Sequence, residues 1–84
     1  MIPEEVKPRK LIVFGIGDTA EEEFADYFKK FGDVEDFIVL RAPGSLTPRG
    51  YGFVVFRNMA GVNACFAEQA HFLGGRNIII KNAY

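Results

Sequence analysis

The chain has 84 residues, room for one small domain. With 49% hydrophobic and 25% charged residues it has an ordinary globular balance; no apolar run approaches the ~20 residues of a membrane span, and a single cysteine excludes an internal disulfide. A net charge of -1 and a pI near 5.7 argue against a generally basic nucleic-acid binder, so such a function would have to rest on where the charges stand.

Residues 1–9 are polar, carry Pro3 and Pro8, and read as a flexible leader without a signal-peptide pattern. The single domain is expected over residues 10–84. Lys10 to Ile16 is a short apolar run, consistent with a buried strand. Asp18 or Thr19 can cap a helix, and Glu21, Glu22 and Glu23 suit its positive end. Phe24, Phe28 and Phe31 then form one apolar stripe, and Gly32 is expected to end the helix as a C-terminal cap. Val34 to Arg41 reads as a second strand, the Pro- and Gly-bearing stretch to Pro48 as a loop, and Tyr51 to Arg57 as a third strand. Asn58 can cap a second helix with Val62, Cys65 and Phe66 as its stripe. Gly74 and Gly75 make a turn, and Asn77 to Lys81 is the last strand. The order is βαββαβ. Nine Phe and three Tyr are more ring surface than one small core needs, which suggests that some of it is displayed.

One stretch is far more specific than the rest. Arg49-Gly50-Tyr51-Gly52-Phe53-Val54-Val55-Phe56 matches every position of the pattern K/R-G-F/Y-G/A-F-V-x-F/Y, and it lies in the third strand. On these residues the chain resembles an RNA recognition motif from about Lys10 to Ala83, closest in loop lengths to the heterogeneous nuclear ribonucleoprotein A/B type. The resemblance implies a ferredoxin-like α+β sandwich, a four-stranded antiparallel sheet with two helices on one face. It also implies single-stranded RNA as partner, with single-stranded DNA as an in vitro substitute, and a nuclear or nucleo-cytoplasmic setting.

Side chains alternate across a strand, so the motif divides in two. Val54 and Phe56 should face the core; Arg49, Tyr51, Phe53 and Val55 should share the open face. A ring standing in water is stabilised by stacking on a base, worth ~1–3 kcal/mol, while Arg49 would meet phosphate. The plainer reading makes Tyr51 and Phe53 core residues. The first strand departs from the family. Ile12 stands where the family usually presents a stacking ring, and Phe14 where it usually has a small residue. Either Phe14 replaces part of the platform, or it covers the sheet or packs on the chain's own tail. The same parity turns Asp36, Ile38 and Leu40 outward with Ile79 and Lys81, and Phe37, Val39, Ile78 and Ile80 inward. The expected RNA-binding set is Lys10, Ile12, Phe14, Ile38, Leu40, Arg41, Arg49, Tyr51, Phe53, Val55, Ile79 and Lys81.

This face answers the charge objection in part. Glu21, Glu22, Glu23 and Asp26 fall on the first helix, behind the sheet, whereas Lys10, Arg41, Arg49, Arg76 and Lys81 lie on or beside the face, with Lys7 and Arg9 within reach. Asp33, Glu35 and Asp36 oppose phosphate. Gly15-Ile16-Gly17-Asp18-Thr19-Ala20 spells a dinucleotide fingerprint, but the chain is too short for a doubly wound sheet. His71 lacks a second metal ligand and reads as a loop residue holding a turn; Cys65 reads as an inert buried thiol. Nothing assembles into a nucleophile, base and orienting group, so neither an active site nor a cofactor or metal site is expected. Thr47-Pro48 is a weak phosphorylation signal. The rival function is a protein-binding domain, by peptide binding or self-association. Domains of the U2AF-homology type resemble it in their acidic first helix. Their Arg-x-Phe turn is Arg76-Asn77-Ile78 here, and their third-strand motif is usually degraded, whereas this one is complete.

Overall fold

A computed structural model of the chain describes residues 7–17, 19–40 and 50–83. The period-two pattern of the first strand is realised in β1 (Lys10–Phe14), where Leu11 and Val13 are fully buried while Ile12 and Phe14 stay accessible. β2 (Val34–Leu40) and β3 (Tyr51–Phe56) pair with each other, and β3 pairs with β1, all antiparallel. Two helices, α1 (Glu21–Lys29) and α2 (Met59–Ala67), supply Phe24, Phe28, Val62 and Cys65 to a core with Leu11, Val13, Val54, Phe56 and Ile78. This is the expected ferredoxin-like arrangement.

The sheet has five strands rather than four, in the order β2-β3-β1-β5-β4. The additional strand, β4 (His71–Leu73), forms a hairpin with β5 (Arg76–Asn82). Gly74 and Gly75 close it with φ of 60° and 77°, the left-handed pair that a two-residue hairpin loop requires. His71 is therefore a strand residue, not a loop residue. It is buried, its Nε2 donates to the Cys65 carbonyl at 2.7 Å, and its Nδ1 meets the Tyr27 hydroxyl. A carbonyl only accepts, so Nε2 carries a proton, and Nδ1 shares a hydrogen bond with the Tyr27 hydroxyl. One imidazole thus joins β4 to both helices.

The helix ends differ in part from expectation. Asn58 caps α2, its Oδ1 accepting from the Ala60 amide at 3.0 Å. For α1 the N-cap is Ala20, which makes no side-chain cap bond, and the Thr19 hydroxyl donates back to the Ile16 carbonyl; Asp18 lies outside the described residues. Glu21, Glu22 and Glu23 occupy the first turn, where the helix dipole favours negative charge. Lys30, in right-handed conformation, takes the C-cap position expected of Gly32. Gly32 is needed for a close approach instead, since a Cβ there would lie 2.7 Å from the Gly61 Cα. Gly61 in turn presses on the Phe56 ring. That contact centres the buried seam of α2 on Gly61, Val62 and Cys65 and turns Phe66, expected inside, to 47% exposure.

A bulge interrupts the β2–β3 register between Val34 and Asp36. The extra residue, Glu35, lets Val34 pack against the core although Asp36, Ile38 and Leu40 face away from it. Before β1, Lys7–Arg9 form a 3-10 turn, from which Arg9 Nη1 donates to the Phe56 carbonyl at 2.6 Å and stands 3.4 Å from Glu35 Oε1. Arg9, expected within reach of the open face, is engaged at the end of β3.

Substituting Gly61→Ala raises helix propensity by about 1 kcal/mol, but the new methyl meets the buried Phe56 ring. Overpacking outweighs propensity, and a net loss of about 1–2 kcal/mol is expected in urea unfolding. A midpoint unchanged or raised would mean that α2 can swing outward at no cost.

Candidate nucleic-acid interface

With both helices on one side, the other side of the sheet is a lattice of side chains set by strand register. One row runs Leu40, Tyr51, Phe14, Ile79; the next runs Ile38, Phe53, Ile12, Lys81; the third contains Asp36, Val55 and Lys10. The described candidates therefore come together as one surface. Phe14, Ile38 and Ile79 are 39%, 49% and 55% exposed, and Ile12, Leu40, Tyr51 and Phe53 are half-buried. Val55 shares the face by register but is buried, so it is floor rather than contact surface. Arg41 and Arg49 lie outside the described residues.

The rings divide into two kinds of contact. Tyr51 and Phe53 stand nearly edge to face, with centroids 6.0 Å apart and planes at 81°. Phe14 and Tyr51, directly paired across β1 and β3, lie 6.5 Å apart with planes at 32°. Lys10 Nζ sits 4.6 Å from the Phe53 centroid, so a cation already lies over the central ring. Above the first row is a hollow of about 380 Å³ lined by Phe14, Gly15, Gly50, Tyr51 and Ile79. Sequence reasoning found its aromatic wall but not the hollow, because Gly15 and Gly50 meet only through the fold; their one signal was that both are glycines beside strand ends.

The glycines of the β3 motif serve the other side of the sheet. A Cβ on Gly52 would stand 2.7 Å from the Ile38 carbonyl and 3.0 Å from Phe24 Cζ, so a larger residue there would push α1 off the strand. At Gly50 it would stand 2.6 Å from the Gly17 carbonyl. Arg76, counted as a rim cation, lies against the strand-to-helix turn, its Nε 2.6 Å from where a Gly17 Cβ would be. The acids of α1 are on the opposite side from Lys10 and Lys81. Among the described residues no His, Cys, Asp or Glu cluster could hold a metal, and no helix is long and apolar enough to cross a membrane.

The model of the RNA recognition motif family matches residues 17–79. The RNA-binding protein Musashi homolog 1 of Caenorhabditis elegans is 33% identical over 78 residues, which cover 92% of this chain and 24% of that protein. The chain belongs to the RNA recognition motif family. Among solved structures, the RNA-binding domain of Hrp1 in complex with RNA matches with a TM-score of 0.78 and 32% identity, over 93% of this chain and 47% of that one. The Rna15 domain with bound RNA (GU) matches with a TM-score of 0.67 and 21% identity, over 87% and 81% of the two chains, a likeness of fold alone. This chain thus spans about a quarter of the length of its curated relative, with 24% covered.

The titratable groups that depart from ordinary behaviour lie beneath the helices. Burial pushes the Cys65 thiol from 9.0 up to about 12. Burial also raises Tyr27, with the nearby Cys65 adding to the effect. A raised folded-state value means that the native state holds its proton more tightly than the unfolded chain does. The contribution of these groups to stability should therefore be level below about pH 9 and fall as pH climbs toward 12. The thiolate is the reactive form, so a thiol reagent in mildly alkaline buffer should label Cys65 only as fast as the domain opens, and at once in denaturant. Rapid labelling of the native domain would contradict this burial.

Proposed function

We propose that this domain binds single-stranded RNA across the open face of its sheet, as one module of an RNA-processing or mRNA-regulating protein. The observation that carries the reading is the pair Tyr51 and Phe53, held accessible on β3 with Lys10 Nζ 4.6 Å from the Phe53 ring. Rings in that position offer a base a flat apolar surface, and the stacking is tolerant of base identity. Lys10 and Lys81 answer phosphate from the same face, and Arg41 and Arg49 join them on the sequence pattern alone. Ile12, Ile38, Leu40 and Ile79 give apolar contact to sugars and base edges. The relatives point the same way: Musashi is by name an RNA-binding protein, and the Hrp1 structure holds RNA.

Because the face is mainly apolar and the chain carries a net charge of -1, stacking rather than phosphate attraction should dominate. About two phosphate contacts at ~0.7 each give a log–log salt slope near −1.4, with a dissociation constant on the order of micromolar or weaker.

An NMR titration with short single-stranded RNAs of mixed sequence is the test. Amide shifts should concentrate on β1, β3 and β5, and Phe53→Ala should weaken binding about fivefold or more. An intact fold with a silent spectrum at high RNA concentration would sink the proposal and make peptide binding or self-association the leading reading.

A further inference from the structure

We propose that the hollow bounded by Phe14, Tyr51 and Ile79 is a separate base-binding site, which takes one unpaired nucleobase of the bound RNA one row above Phe53. The inference rests on RNA binding by the sheet and names a site within it.

Three observations support the site. The first is the position of the Phe14 ring. It stands 39% exposed on the central strand, while Phe24, Phe28 and Phe56 are fully buried. The tail does not shield it among the described residues, since the Ala83 amide donates to the Lys10 carbonyl, at the opposite end of β1. An exposed ring amid other exposed apolar groups marks an interaction surface.

The second is the shape of the hollow. Phe14 pairs directly with Tyr51 on one side and with Ile79 on the other. The ring planes of Phe14 and Tyr51 diverge by 32°, against 81° for Tyr51 and Phe53. Gly15, at φ +83°, and Gly50, whose Cβ position is closed by the Gly17 carbonyl, complete the lining with main chain alone. The volume, about 380 Å³, falls at the small end of the ~300–1,000 Å³ range of ligand sites.

The third is chemistry. None of the lining residues is charged, so the hollow suits a flat neutral group and not a phosphate. It is continuous with Tyr51 and Phe53, and Lys81 stands in the adjoining row, two residues along β5 from Ile79. A base held here and a second base at Phe53 would be neighbours on one strand. Ile12, paired with Phe53, offers no ring of its own, and the ring of β1 stands one row further along the strands at Phe14.

The test is a cycle between ring and base. A short RNA that binds the wild-type domain is made abasic at each nucleotide in turn, and affinities are compared for wild type, Phe14→Ala, Phe14→Leu and Phe53→Ala, with amide spectra confirming the fold. Phe14→Ala should weaken binding at least about fivefold, and Phe14→Leu, which keeps apolar volume without a flat face, nearly as much. The abasic penalty at one nucleotide should vanish in Phe14→Ala and persist in Phe53→Ala, with the reverse at its neighbour. If RNA binds but Phe14→Ala keeps the affinity and every abasic penalty, the site is refuted while the function stands. If both alanine variants erase the penalty at the same nucleotide, there is one shared site and the proposal is wrong. Absence of any RNA binding by wild type would overturn the function and this site together.

Discussion

The packing of Phe24 and Phe28 of α1 against β2 and β3 is the contact on which the rest of the molecule depends. Both rings are fully buried, 5.0 Å apart, and Phe28 reaches Phe56 at 6.5 Å. They fix which side of the sheet is dry. Once Leu11, Val13, Val54 and Phe56 are drawn under the helices, alternation leaves their neighbours no choice of face. Tyr51, Phe53, Ile12 and Phe14 are therefore displayed because of what lies behind them. Gly52 belongs to the same constraint, since its missing side chain lets Phe24 approach the centre of β3.

The helical side shows how closely that contact is enforced. Gly32 and Gly61 remove side chains where the end of α1 meets α2. His71 then ties β4 to both helices through Tyr27 and the Cys65 carbonyl. These are polar groups satisfied inside a small core, and leaving either ring nitrogen unpaired would cost about 1–3 kcal/mol. The open face contains no comparable network among the described residues. Its apolar side chains remain accessible, with Lys10 over the Phe53 ring and Lys81 exposed on β5, so a ligand can displace water without dismantling the fold.

Charge is divided along the same boundary. Glu21, Glu22 and Glu23 take the first turn of α1, favourable to the helix dipole and behind the sheet. Lys10 and Lys81 project from the strands. A chain of net charge -1 can thus present a face without a matching excess of acid, Asp36 excepted. The local field, rather than the total, is what a ligand meets.

Much of this was legible in the residues because it depends on local rules. The period of two in Lys10–Phe14 and Tyr51–Phe56, the β3 motif and the Asn58 cap all operate within a few residues of chain. They determined the order of elements along the core and which residues share each face of the sheet, while the order of strands in the sheet was set only in three dimensions. Features that join distant segments were not legible. Gly32 read as a helix terminator because nothing local announces that Gly61 will touch it, and Phe66 read as core because helical spacing cannot tell which line of a uniformly apolar helix will be pressed inward. The strand at His71–Leu73 is too short to show alternation, and it exists because β5 offers an edge and Gly74-Gly75 turns the chain back to it. The hollow beside Phe14 was decided only in three dimensions, where strand pairing sets Phe14 between Tyr51 and Ile79 and the turns bring Gly15 to Gly50.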